Sequence, residues 1–154
     1  TLKPEIKEAA QTVLASRGSI LDSMKNIYSH KMDLLKIRIH GDYHLGQILK
    51  DQLEYSGYYV NLVRQPKDFV KKLTEDQYDL VITDKLLNGI DGTLICAAIR
   101  STQEIADIPI LMMSGMDGAR KECLAAGANN FLSKPFELDG LLDSINETLR
   151  AVRT

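Results

Sequence analysis

From residue 36 onward, short apolar runs alternate with amphipathic stretches, and two of the runs are continuous rather than alternating. Within Tyr78–Thr83 the residues Leu80, Val81 and Ile82 are consecutive apolar side chains, and Ile108–Met113 is apolar throughout. A strand with one wet face would alternate instead, so both runs predict strands covered on both sides. Around them, Lys36–His40, rich in β-branched residues, Tyr58–Val63 and Asn130–Ser133 also read as strands. Leu45–Tyr55, Pro66–Leu73, Gly92–Arg100, Arg120–Ala126 and Leu138–Val152 read as helices. Five strands alternating with five helices predict an α/β fold, a doubly wound five-stranded parallel sheet with helices on both faces. In such a sheet, chemistry sits beyond the carboxyl ends of the strands.

The first 35 residues differ. Ile6, Ala10, Val13, Ile20, Met24, Ile27 and Leu34 step by three and four, with Arg17 and Lys31 filling the gaps. That spacing predicts an N-terminal helical, coiled-coil-like extension over 1–35 and a second domain over 36–154. Gly18 interrupts the seam, and Ser19 with Asp22 resembles a helix start. One long helix and two helices joined at Arg17–Ser19 both remain open. So do a dimerising role and a role covering an apolar patch of the same chain.

Composition narrows the function classes. Over 154 residues the net charge is −2, without the clustered Lys and Arg that nucleic acid or an anionic membrane surface requires. Cys96 and Cys123 form no C-x-x-C pair and read as buried small hydrophobes of a reducing compartment. No apolar run is long enough to span a bilayer, so a cytoplasmic protein is expected. The first residue is Thr1 rather than Met, which suggests a piece of something longer.

The expected strand ends are chemically selective. The first closes in Gly41-Asp42, the third in Asp84, the fourth in Ser114 and the fifth in Lys134-Pro135. Crowded carboxylates favour a divalent cation, and Mg²⁺ suits one or two carboxylates plus phosphate oxygens. An ammonium and a hydroxyl beside them can hold phosphoryl oxygens, and an Asp carboxylate can serve as the nucleophile.

Asp84 through Gly92, which opens with an acid and closes with Asp91-Gly92, resembles the loop after the third strand of response-regulator receiver domains. Met112-Met113-Ser114-Gly115, and Ala126-Gly127-Ala128 through Lys134-Pro135-Phe136, resemble further signatures of that family. The resemblance covers roughly 36–152. It implies the flavodoxin-like receiver fold and a two-component or phosphorelay role, a signalling switch rather than an enzyme. Asp84 would be the phosphoacceptor, taking its phosphoryl group from a histidine kinase or phosphotransfer protein. Asp42, Asp84 and the Leu86 carbonyl would bind Mg²⁺. Ser114 and Lys134 would sense the phosphoryl group, Phe131 would be the switch aromatic, and the bond before Pro135 would be cis. The switched surface would face a partner or a second copy; a homodimer through the N-terminal helix is the dimerising alternative read above from the spacing of residues 1–35.

The sequence also departs from the family pattern. Gly41 stands where the acidic pair has its first carboxylate, which should weaken Mg²⁺ affinity. Leu87-Asn88 replaces the usual Met-Pro, and Phe131 lacks a hydroxyl. The stretch from Ser114 to Lys134 is shorter by about half a helical turn. These features motivate an alternative, a pseudo-receiver that docks proteins without phosphorylation. A remoter alternative is a cobalamin-binding module, because Asp42-Tyr43-His44-Leu45-Gly46 nearly matches Asp-x-His-x-x-Gly. A transition-metal site between His40, Asp42 and His44 would need two imidazoles on opposite sides of a strand end to converge. Asp91 reads as a turn residue, and Met112, Met113 and Met116 as core and loop filler.

Overall fold

The computed structural model describes residues 35–40, 43–63, 68–87 and 89–153. The helical reading of 1–35 therefore falls outside the described residues, Leu35 excepted. From there the elements run β1 (Lys36–His40), α1 (Tyr43–Tyr55), β2 (Tyr59–Val63), α2 (Phe69–Glu75), β3 (Leu80–Asp84), β4 (Leu86–Leu87), β5 (Ile90–Asp91), α3 (Gly92–Ser101), β6 (Ile110–Ser114), α4 (Ala119–Ala125), β7 (Asn130–Ser133) and α5 (Leu138–Arg153). The five long strands form one parallel sheet in the order β2-β1-β3-β6-β7. This is the doubly wound architecture expected above, and its order reverses between β1 and β3.

Each face of the sheet buries its own core. Leu80 and Ile82 of β3 and Leu111 and Met113 of β6 pack with Leu49, Leu53, Leu141 and Ile145, from α1 and α5. The alternate residues Val81, Ile110 and Met112 pack on the other side with Phe69, Leu73, Ile95, Ile99 and Cys123, from α2, α3 and α4. Period-two alternation sends successive side chains to opposite faces. Because both faces are covered, both sets must be apolar, and the continuous runs in β3 and β6 follow from that. Cys96 and Cys123 are free thiols buried in the second core.

β1 obeys the same geometry with a different composition. Ile37 and Ile39 join the α1/α5 core, while Arg38 and His40 face the other side and are buried there. Arg38 donates to the Tyr78 hydroxyl at 2.5 Å, and the His40 ring meets the Phe69 ring edge-on at a centroid distance of 4.9 Å. Burial first, and the Arg38 charge second, lower the pKa of His40 to about 4.

Several short links fix the connections. Arg100 on α3 donates to the carbonyl oxygens of Gly127, Ala106 and Ile108 at 2.9, 2.7 and 2.8 Å. It also donates to Asn129 Oδ1 at 2.6 Å, and that oxygen accepts from Ile110 N–H as well. One guanidinium thus joins α3, the approach to β6 and the turn into β7. Gly127 adopts φ +109°, and an added Cβ there would lie 2.8 Å from Arg100 Cγ. Among the described residues, no helix is long and apolar enough to cross a membrane.

Replacing Arg100 with Met leaves three main-chain carbonyls short of a donor and should cost about 2 kcal/mol in urea unfolding. A loss below about 0.5 kcal/mol would show that the link is dispensable. His40 predicts a pH dependence. Its folded pKa lies below its unfolded value near 6.5, so the unfolded chain binds the extra proton first. Stability should be undiminished by this group above pH 6.5 and fall between pH 6.5 and 4, by roughly 3 kcal/mol at most. His40→Leu should remove that part of the slope, and an unchanged slope would assign it to other groups.

Candidate functional site at the carboxyl edge

The site is made by register. Asp84, the last residue of β3, pairs with Met113, and Ser114 at the end of β6 pairs with Ser133 at the end of β7. Two more hydrogen bonds carry the ladder one residue further, from Lys85 N–H to Met113 O at 2.8 Å and from Lys134 N–H to Ser114 O at 2.9 Å. Asp84, Ser114 and Lys134 are therefore delivered to one edge by three adjacent strands. The peptide between Lys134 and Pro135 is cis, as the resemblance implied.

Asp84 and Lys134 meet directly. The Lys134 ammonium pairs with Asp84 Oδ1, in a site where the carboxylate side chain is 5% exposed and the lysine 27%. Oδ1 accepts no hydrogen bond of regular geometry, so this ion pair is the compensation for its burial. Ser114 is buried beside them, and its Oγ accepts from Met116 N–H at 3.1 Å, which ties it into its own loop.

The stretch after Asp84 carries a pairing that its sequence did not suggest. Leu86–Leu87 and Ile90–Asp91 pair as a small antiparallel ribbon, with Leu86 opposite Asp91 and its side chain exposed. Asp91 then caps α3, its Oδ1 accepting from Thr93 N–H at 2.9 Å and from Thr93 Oγ1 at 2.8 Å. The main-chain hydrogen bond is the chief cause holding the Asp91 carboxyl below its ordinary pKa. Gly92 N–H donates to Lys85 O at 2.5 Å, and a Cβ at Gly92 would be driven into the Asp84 carbonyl oxygen. The Asp-Gly pair thus caps the helix and lets the loop close onto it.

Lys85 escaped the sequence reading. Its stem is buried, and its ammonium pairs with Glu122 of α4 at 2.8 Å and lies 3.7 Å from Asp91. The Glu122 hydrogen bond is the main cause raising its pKa, against an opposing effect of burial. A lysine directly after the acceptor candidate was the available signal. Its partner, 37 positions away in sequence numbering, was not legible.

The other expected residues are placed as follows. Phe131 lies half-buried on β7 against the α2/α3/α4 core. Met112 and Met113 are core, and Met116 is exposed. Gly41 and Asp42 lie outside the described residues, so neither the second carboxylate nor the His–Asp–His idea is described by the structure. Gly46, the near-match glycine of the cobalamin pattern, packs α1 onto β2: a Cβ there would sit 2.7 Å from Leu62 Cδ1.

As for a cation, the buried Asp84 carboxylate is a hard oxygen donor of the kind Mg²⁺ takes, with its Oδ1 already held by the Lys134 ammonium. Among the described residues no group of three or more His, Cys, Asp or Glu side chains is placed to hold a metal ion, and Asp42 lies outside them.

The family model for the response regulator receiver domain matches residues 39–146. The response regulator MprA of Mycolicibacterium vanbaalenii is 33% identical over 104 residues, which are 66% of this chain and 44% of that protein. The chain spans less than half the length of that relative. Among solved structures, the receiver domain of a sensor histidine kinase from Pseudomonas aeruginosa PAO1 superposes with a TM-score of 0.67 at 27% identity. It covers 79% of this chain and 99% of its own, and holds a magnesium ion coordinated in its active site cleft. The chemotaxis response regulator CheY4 of Vibrio cholerae shares the fold, with a TM-score of 0.69 at 23% identity over 75% of this chain and 98% of that one. With its parallel sheet and its Asp84–Lys134 edge, this chain belongs to the response regulator receiver domain family of two-component signalling.

Proposed function

We propose that residues 36–154 accept a phosphoryl group on Asp84 from a phosphohistidine of a histidine kinase or phosphotransfer protein. The observation that carries this reading is the ion pair between Asp84 and Lys134 across three strands. A carboxylate held by one ammonium is a nucleophile whose charge is already compensated. In the transfer, an Asp84 oxygen forms the new P–O bond as the P–N bond of phosphohistidine breaks, and the imidazole departs with the electron pair.

The Asp42 and Asp84 carboxylates and the Leu86 main-chain carbonyl would hold Mg²⁺, whose charge offsets that of the phosphoryl oxygens. Lys134 would follow the negative charge from the carboxylate to the phosphoryl group. Ser114 would trade its bond from Met116 N–H for a hydrogen bond donated to a phosphoryl oxygen. Phe131, half-buried at the rim of the core, would turn inward as Ser114 moves. Such a change selects between two packings by differential contacts. The switched surface would act on a partner or a second copy, in the cytoplasm, with residues 1–35 as the segment that joins two copies and without nucleic acid or membrane contact. Gly41 in place of an acid leaves Mg²⁺ affinity below that of a full acidic pair.

The test is labelling by acetyl phosphate with millimolar Mg²⁺, followed by intact mass. The wild-type chain should gain one phosphoryl group and Asp84→Asn none, with the circular dichroism of the variant unchanged. Equal labelling of the variant would move the acceptor elsewhere, and an unlabelled wild type would leave phosphorylation-independent docking as the function. Gly41→Asp should tighten Mg²⁺ binding by about tenfold, on the order of 1.4 kcal/mol, in a calorimetric titration. Unchanged affinity would refute the role given to that position.

A further inference from the structure

A second concentration of charge lies beside the edge strand β2, beneath α2. Arg38 is 6% exposed and stands in register with Asn61 of β2. Its Nη1 donates to the Tyr78 hydroxyl, and its guanidinium lies 5.1 Å from the Tyr78 ring centre. Its Nε is buried without a hydrogen-bond partner, and no carboxylate among the described residues comes within ion-pair distance of it. Asp76 reaches this guanidinium only across the Tyr78 hydroxyl, and a buried guanidinium with an unused donor and no carboxylate in direct contact is costly.

The nearby acids are engaged elsewhere. Asp76 pairs with Lys36 at 3.1 Å and accepts from the Tyr78 hydroxyl at 3.2 Å, and Glu75 pairs with Lys71 at 3.9 Å. Tyr78 also accepts from Asn61 Nδ2 at 3.0 Å, so its hydroxyl is fully used. Lys72 makes no ion pair among the described residues. Arg38, Asn61, Leu62, Lys72, Glu75 and Asp76 line a cavity of about 390 Å³. Asp76 is in direct contact with Lys36 and Glu75 with Lys71, so Arg38 and Lys72 face one space with neither in direct contact with a carboxylate. Its volume is in the range of small-molecule sites.

We propose that this cavity binds a small, multiply charged oxyanion, a phosphate or a dicarboxylate, held by the Arg38 guanidinium and the Lys72 ammonium. The guanidinium offers the planar fork that such groups accept, and Lys72 adds a mobile point charge. Leu62 provides an apolar wall for an organic remainder. The site is separate from Asp84 and does not depend on its phosphorylation.

The experiment is an ¹⁵N NMR titration of the whole chain without Mg²⁺, at constant ionic strength. Sodium phosphate, sodium succinate and sodium chloride form its three arms. Saturable shifts should appear at the Asn61 side-chain amide and the Lys72 amide, with phosphate, succinate or both, and not with chloride. Which arm saturates identifies the ligand class. Lys72→Glu, on an exposed position, should weaken that affinity at least tenfold, Arg38→Lys should weaken it by removing the fork, and Lys121→Glu on α4 should leave it unchanged. An equal response to chloride would overturn the proposal. So would shifts confined to the surroundings of Asp84 and Lys134, or full affinity in Lys72→Glu.

Discussion

A carboxylate with almost no access to water is held at the end of β3 by a single ammonium arriving from β7, two strands away. That contact exists only because β3, β6 and β7 share a register that continues past the last paired residue, through Lys85 N–H and Lys134 N–H. A slip of one residue would exchange the two faces of a strand and send its end group into a core. The apolar packing of both faces therefore fixes the chemistry of the edge. Charge, in turn, limits the fold: an Asp84 stripped of Lys134 would be a buried anion short of a counter-ion.

The same two-sided burial explains the strand that departs most from an apolar run. In Lys36-Ile37-Arg38-Ile39-His40 the alternation of polar and apolar residues looks like that of a half-solvated strand. Between β2 and β3 there is no solvated face, and Arg38 and His40 are buried where hydrophobes stand on β3 and β6. Tyr78 makes this tolerable for Arg38 by offering both a hydroxyl and a ring face. His40 adapts by remaining neutral. The polar pocket under α2 follows from that substitution of character within β1.

Much of this was legible from residues alone. Tyr78–Thr83 and Ile108–Met113 announced doubly covered strands, and Asp84, Ser114 and Lys134 could be placed at strand ends because each follows a strand-like run. What escaped lacks periodicity. Two-residue strands such as Leu86–Leu87 and Ile90–Asp91 are too short to show alternation. The start of β3 was set too early, at Tyr78, because burial of that side chain in a loop looks like the first residue of a strand. Lys85–Glu122 and the Arg100 network join residues far apart in sequence or bond side chain to main chain, and no local pattern records such pairings.

Convergence at the sheet edge is tested most directly by ¹⁹F NMR of the chain with beryllofluoride and Mg²⁺, because that ligand mimics a phosphoryl group only where an acid, a cation site and an ammonium meet. Bound fluoride resonances of a one-to-one adduct are predicted, with at least one displaced when Lys134 is replaced by Ala. No bound resonance at saturating Mg²⁺, or an adduct indifferent to Lys134, would contradict the convergence on which everything above depends.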